Sequence, residues 1–213
     1  MTIRVLLADD HTLVREGLRA LLTASGLITV VAEVSDGRQA FRRACELMPD
    51  VVVMDVAMPE LNGIEAAGLI QAKCPDAKIV MLSMHSSTEH IHRAFAAGAA
   101  GYVLKASASQ EVIAAVQAVH AGQRYLSPAL RQAAADAAPG VKRAGPLESL
   151  STRERQVLQL VVEGKSSAAI ATTVHLSPKT VDTYRSRLMK KLGVSDVPAL
   201  VKFALQHGIT PSA

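Results

Sequence analysis

The chain has 213 residues, about half of them hydrophobic, enough for one large core or two small ones, and no apolar run is long enough to span a membrane. Charges at Asp9 and Asp10 interrupt any secretory-signal pattern, and Cys45 and Cys74 lack metal-ligand spacing, so a cytosolic protein with reduced thiols is expected. Residues 1–125 carry 11 Lys+Arg against 13 Asp+Glu, net −2, while residues 126–213 carry 12 against 6, net +6, so only the second part is expected to meet a polyanion.

Ile3 to Ala8 reads as a first strand, followed at once by Asp9 and Asp10. Leu13, Val14, Gly17, Leu18, Leu21 and Leu22 then recur at helical spacing. Ile28 to Val34 is a second β-branched run, and Ala40, Ala44 and Leu47 mark a helix that Pro49 closes. Val51-Val52-Val53-Met54 runs straight into Asp55, the pattern of a strand buried on both faces. Gly63 to Ala72 gives a third helix, and Lys78 to Leu82 a fourth strand ending at Ser83. Ile91, Phe95 and Ala96 lie on a helix stopped by Gly98, and Tyr102 to Leu104 is a short strand ending at Lys105. Val112, Ile113, Val116 and Val119 form the last helix, closed by Gly122.

Strand and helix thus alternate five times, which predicts an α/β fold: a doubly wound, five-stranded parallel sheet in the flavodoxin-like order. Five units are too few for an eight-stranded barrel. In such a sheet all strand ends lie on one edge, so Asp9, Asp10 and Asp55 should converge between the first and third strands. Three neighbouring carboxylates resist ionising together. A divalent cation removes that repulsion, and oxygen ligands at a half-open site suit Mg²⁺. Lys105 would face a phosphoryl oxygen across the cleft, Ser83 would donate a hydrogen bond to it, and Asp55 would be the nucleophile. Any one of these residues alone is more often a helix cap or a solvated charge; the signal is their joint placement at the proper strand ends.

Residues 1–122 resemble the receiver domain of two-component response regulators. The acidic pair matches Asp9 and Asp10, the phosphoacceptor Asp55, the hydroxyl switch Ser83, the aromatic switch Tyr102 and the lysine Lys105, with Pro59 and Gly63 in the loop after the phosphoacceptor. The resemblance implies that the Ala57 backbone carbonyl is a further metal ligand. It departs at Ala106-Ser107, where the family usually has a proline; this bears on the loop geometry and not on the lysine's role.

Other motifs carry less. Gly164-Lys165-Ser166 imitates the end of a P-loop, but Gln159 stands where the leading glycine is required. Gly98 to Gly101 lacks the dinucleotide fingerprint. His90 and His92 are two apart on a helix and point away from each other. His11 could approach the acidic pair, but a structural or solvated histidine is expected.

From Ser127 to Leu150 the periodicity fades through Pro139-Gly140 and Gly145-Pro146, predicting a short helix and a flexible linker. The expected division is a receiver at 1–125, a linker at 126–147 and a helical domain at 148–213. Ser151 with Glu154 forms a capping box, and Val157, Leu158, Leu160 and Val161 give its helix a buried face that Gly164 ends. Ser167 to Thr173 is a short helix anchored by Ile170, followed by a turn at His175-Leu176. Ser177-Pro178 opens a helix with Val181, Leu188 and Leu192 on one face, ended by Gly193. Ser195 is the expected cap of a last helix carrying Leu200, Val201 and Leu205, closed by Gly208.

Four short helices, the third of them basic, predict an all-α helix-turn-helix domain. The runs Leu150 to Leu158 and Leu176 to Leu188 resemble the LuxR-type helix-turn-helix, the output domain of the NarL/FixJ group of response regulators. Two departures stand out. Ser167-Ala168-Ala169 replaces polar and acidic residues, so a buttressing contact is expected to be missing, and Asp182 replaces a basic residue on the recognition helix. With Val181 as the buried direction, Lys179, Thr183, Ser186, Arg187 and Lys190 face outward, and Asp182 lies at the margin. These residues and Thr180 are the candidate DNA contacts: Lys179 and Lys190 to phosphates, Thr183 to a base edge, Asp182 to a cytosine amine or clear of the backbone. Arg185 falls near the buried side and is expected to brace the domain against Glu154.

The resemblance implies a cytoplasmic transcription factor that is not an enzyme. It further implies that a sensor histidine kinase phosphorylates Asp55 with Mg²⁺ present, that Ser83 and Tyr102 then shift, that a homodimer forms, and that two half-sites of double-stranded DNA are bound. A phosphohydrolase would need an aspartate where Ala57 stands. A regulator that ignores phosphorylation, with the receiver serving only dimerisation, would not need the complete acidic pocket.

Overall fold

The structure, a computed structural model, describes residues 2–84, 86, 88–131, 146–207 and 209. They fall into two compact units, described in turn. The linker residues 139, 140 and 145 and the helix stop at Gly208 lie outside the described residues.

The first unit alternates strands and helices: β1 (Ile3–Ala8), α1 (Thr12–Ala24), β2 (Ile28–Val34), α2 (Gly37–Leu47), β3 (Val51–Asp55), α3 (Gly63–Lys73), β4 (Lys78–Ser83), α4 (Thr88–Ala96), β5 (Gly101–Leu104), α5 (Ala108–His120) and β6 (Tyr125–Leu126). The strand order is β2-β1-β3-β4-β5-β6, with every pairing parallel. The expected flavodoxin-like order is present, with the switch between β1 and β3. The sheet has six strands and not five. β6 is two residues long and pairs Tyr102 with Leu126, too short to carry an apolar alternation.

Strand alternation explains the core. Val5, Leu7, Val51, Val53, Val80, Leu82 and Val103 pack with Leu18 and Leu22 of α1 and Val112, Val116 and Val119 of α5. Their neighbours Leu6, Val52, Met54, Ile79, Met81 and Tyr102 point the other way and are also fully buried. That is why β3 reads as an uninterrupted apolar run. Each such side chain contributes roughly 1.5–3 kcal/mol of burial. Leu13, placed on the apolar face of the first helix by spacing, is instead 84% exposed, because α1 turns only Leu18 and Leu22 fully inward.

Helix starts are set by caps. Asp36 accepts from the Gln39 N–H at the start of α2, and Asn62 from the Glu65 N–H at the start of α3. Gly63 opens α3 directly against β3: a Cβ there would lie 2.0 Å from the Asp55 carbonyl oxygen, so only glycine allows this approach. Lys105–Ser107 form a 3₁₀ turn after β5, with no cis peptide among the described residues, so Ala106-Ser107 leaves Lys105 at the strand end.

The second unit contains a 3₁₀ turn (Pro146–Ser149) and four helices: α6 (Thr152–Val162), α7 (Ser167–Val174), α8 (Pro178–Leu192) and α9 (Val197–Gln206). Leu147, Leu150, Val157, Leu158, Ile170, Val181, Leu188 and Leu200 lie in one core. The capping box at Ser151 and Glu154 is present, and Ser177 caps α8 with Pro178 in the first turn. Gly164 and Gly193 take the positive φ that stops α6 and α8. Two expectations fail here. Asp196, not Ser195, caps α9, accepting from the Ala199 N–H at 2.8 Å. Leu205 is 44% exposed, and Ala204 takes the buried position beside Leu200. No helix among the described residues is long and apolar enough to cross a membrane.

Candidate functional site

The parallel sheet brings its chemistry to one edge. Asp9 and Asp10 follow β1, Asp55 ends β3, Ser83 ends β4 and Lys105 follows β5. Asp9, Asp55 and Ser83 are buried, and the Lys105 side chain is nearly so. Lys105 Nζ lies 2.7 Å from Asp55 Oδ2 and 2.8 Å from Asp9 Oδ2. The lysine therefore bridges two of the three carboxylates.

One ammonium among three carboxylates leaves the pocket two charges short of neutral when all are ionised. Burial pushes the Asp55 carboxyl up to about 6; Lys105 opposes that shift, Asp9 adds to it, and a hydrogen bond from the Ala57 N–H opposes it. Burial works against the Lys105 charge, but the attraction of Asp55 and Asp9 outweighs it and holds the ammonium above its ordinary value. Desolvation dominates for the deeper carboxylate and attraction for the lysine, which is how both can move up.

Carboxylate oxygens of Asp9, Asp10 and Asp55 and a ring nitrogen of His11 lie within 4.8 Å of one another. This acidic cluster has the donor set of a metal site. His11 donates its backbone N–H to Asp9 Oδ1 at 2.9 Å, and its Nδ1 lies 2.8 Å from Asp10 Oδ1. Half-exposed at the start of α1, it is hydrogen-bonded to the acidic pair, the structural of the two settings expected of it. Its adjacency to Asp10 was the one sequence signal of this role. His90 is buried and His92 exposed, so they form no pair.

Behind the pocket, Tyr102 is fully buried and hydrogen-bonded to the Ser83 side chain. Burial pushes its phenol up to about 12, the Ser83 hydrogen bond opposes this, and the Asp55 charge adds to it. The aromatic is thus already turned inward. β6 fastens this strand from the far side: the Ser127 N–H donates to the Tyr102 carbonyl, and the Ser127 hydroxyl accepts from the Leu104 N–H and donates to Glu111.

In the second unit α8 presents the expected face. Lys179, Asp182, Thr183, Ser186, Arg187 and Lys190 are exposed, Thr180 is half-buried, and Val181 and Leu188 are fully buried. Thr180 belongs to the cap, with its hydroxyl 2.8 Å from that of Ser177, and the Thr183 hydroxyl donates to the Lys179 carbonyl. Asp182 accepts from the Ser167 hydroxyl at 2.6 Å, and Arg185 donates to the same hydroxyl at 2.8 Å. The buttress between α7 and α8 is therefore present, supplied by Ser167. Arg185 braces the domain through Ser167 and not through Glu154, whose partner is Lys191 at 2.7 Å. Arg153 caps the α7 carbonyl of Val174, and Arg155 reaches the carbonyls of Leu147 and Leu150. Much of the unit's positive charge is thus committed internally.

Comparison with known proteins agrees with both units. The response regulator receiver domain matches residues 5–117, and the luxR family of bacterial regulatory proteins matches residues 148–204. The transcriptional regulatory protein MctR of Rhizobium johnstonii is 39% identical over 207 residues, covering 97% of this chain and 95% of MctR. The response regulator UvrY of Escherichia coli is 39% identical over 208 residues, with the same coverage. RcsB of Salmonella enterica serovar Typhimurium, solved on promoter P1flhDC in the presence of the phosphomimetic BeF₃⁻, matches with a TM-score of 0.67 at 27% identity, over 95% of this chain and 98% of that one. The chain belongs to the response regulators that join a receiver domain to a LuxR-family helix-turn-helix, a family of DNA-binding transcription regulators and not of enzymes.

Proposed function

We propose that this protein is switched by phosphorylation of Asp55 by a sensor histidine kinase, and that the phosphorylated form pairs with a second copy and binds promoter DNA through α8. The observation that carries the reading is the pocket itself: three carboxylates at the β1/β3 switch, two of them sharing one lysine, with a hydroxyl at the neighbouring strand end.

Asp9, Asp10, Asp55 and the Ala57 carbonyl are the proposed ligands of Mg²⁺, a hard ion suited to this oxygen set. Held there, Mg²⁺ would supply charge neutralisation for the carboxylates and the incoming phosphoryl oxygens. Asp55 is mostly ionised at neutral pH despite its raised pKa, and its free oxygen attacks phosphorus while the bond from phosphorus to the donor breaks. Lys105 then exchanges a carboxylate oxygen for a phosphoryl oxygen, and Ser83 turns its hydroxyl from Tyr102 to the new group. The Ser83–Tyr102 hydrogen bond is the link through which β4 and β5 register the change. Residues 1–125 together with the rest of β6 are the proposed receiver, and residues 148–213 the DNA-binding part. Lys179, Arg187 and Lys190 meet phosphates, and Thr183 and Ser186 face base edges. Asp182 and Thr180 act by holding α8 to α7 and to its own cap. RcsB, solved on promoter DNA in the presence of a phosphomimetic, supports the link between a phosphorylated receiver and DNA binding.

The test is labelling by a small phosphodonor such as acetyl phosphate with Mg²⁺, read by intact mass. Wild type should gain one phosphoryl group and Asp55→Asn none. Equal labelling of the variant would place the acceptor elsewhere. Labelling without any change in DNA affinity would favour the rival reading, a receiver used only for dimerisation.

A further inference from the structure

Cys45 lies in the last turn of α2, and Cys74 is the residue that ends α3. Both are free thiols, and their sulfurs are 3.0 Å apart. The residues are 29 apart in sequence, so local chain geometry does not bring them together; the packing of α2 beside α3 does. The Cys74 backbone is pinned by its N–H bond to the Ile70 carbonyl. Cys45 is exposed and Cys74 partly so, which leaves the pair open to a small oxidant.

We propose that Cys45 and Cys74 are a covalent modification site: a dithiol that hydrogen peroxide converts to a reversible disulfide, stapling α2 to α3. The pocket chemistry uses neither residue. The geometry asks for little, since a disulfide needs the sulfurs about 2.05 Å apart, within a rotamer adjustment of their present separation. One of the two thiolates attacks a peroxide oxygen, the O–O bond breaks, and a sulfenic acid and water form. The other sulfur then attacks the sulfenic sulfur, the S–OH bond breaks and a second water leaves. Two thiols lose two electrons and two protons, and one peroxide becomes two waters. A thiol reductant of the glutathione class reverses the bond by exchange.

The experiment uses the full chain treated with stoichiometric hydrogen peroxide and then quenched. Intact mass should fall by about 2 Da, with both thiols lost and regained on reduction. Digestion without reductant should yield a peptide joining Cys45 to Cys74. The oxidised receiver should melt roughly 5–10 °C above the reduced one, because the bond closes a loop in the unfolded chain. Cys45→Ala and Cys74→Ala should each stop at a sulfenic acid that dimedone traps on the remaining thiol, without the loss of about 2 Da. A wild-type monomer mass that stays unchanged, or disulfide-linked dimers in place of the internal bond, would each overturn the proposal.

Discussion

In the first unit the charged groups that carry the proposed chemistry are inside: Asp9 and Asp55 are at most 2% exposed, and they share Lys105. In the second unit Lys179, Arg187 and Lys190 lie open to water on α8, while Arg153, Arg155, Arg185 and Lys191 hold the helices together. Buried charges cost desolvation, shift pKa values and depend on one another, so the pocket should respond as a unit. Exposed charges are screened and nearly independent, so the helix face should respond one contact at a time. A regulator needs both: a site that changes state sharply and a surface that sums weak attractions. The contrast also qualifies the net +6 of residues 126–213, because a cation that stabilises the fold is not available to a phosphate.

The contrast is broken most strongly at Asp10. Asp10→Ala removes a charge from a cluster that needs a cation, and Mg²⁺ affinity should fall at least the roughly 10–100-fold that outer-shell partners cost. Titration calorimetry reads this directly; an unchanged affinity would remove Asp10 from the site. Next comes the cost of burying Asp55. Its pKa of about 6 stands above the ordinary 3.8, so its charge destabilises the metal-free fold. Both states are neutral at Asp55 below pH 3.8, and the penalty is complete above about pH 6. Asp55→Asn should therefore stabilise the chelated receiver at pH 7.5 by on the order of 1–3 kcal/mol, and the advantage should shrink as pH falls through 6. Denaturant melts at both pH values would contradict this if the variant were less stable at the higher one.

On the helix face the effects are smaller. Lys190→Ala should weaken all DNA sequences alike and lower the salt slope by about one, while leaving stability within about 0.5 kcal/mol. An untouched slope would mean that α8 does not lie along the phosphates in this way. The smallest effect belongs to Glu154. Burial pushes its carboxyl up, but hydrogen bonds from Lys191 and from the Ser151 backbone and hydroxyl outweigh it and hold the pKa below the ordinary 4.5. Its contribution is full above pH 4.5 and is lost as pH falls below that value. Glu154→Gln should cost about 1 kcal/mol at pH 7 and progressively less as pH falls below 4.5, read from the helical unit's melting.

The pocket was legible because a parallel sheet sends every strand end to one edge. Finding Asp55, Ser83 and Lys105 after apolar runs was enough to place them together. The α8 face was legible because 3.6-residue periodicity, started at Val181, sorts a helix into inside and outside. What escaped was set by reach and packing. Periodicity gives a direction and not a partner, so Lys191 took Glu154 and Arg185 took Ser167. Ser195 and Asp196 are both competent caps, and only the helix start at Val197 decides between them. β6 is too short for a pattern, and nothing in their spacing links Cys45 to Cys74.

The proposed link between the state of the buried pocket and the affinity of the exposed helix is tested most directly by measuring mass and DNA affinity on the same phosphodonor-treated samples of wild type and Asp55→Asn. The duplex is one selected from a random pool, and binding is followed by anisotropy across a salt series. Wild type should gain the phosphoryl mass and bind more tightly than its untreated form, whereas Asp55→Asn should gain neither. Tightening of Asp55→Asn by the same donor, or a fully labelled wild type that binds no better than unlabelled protein, would contradict the account.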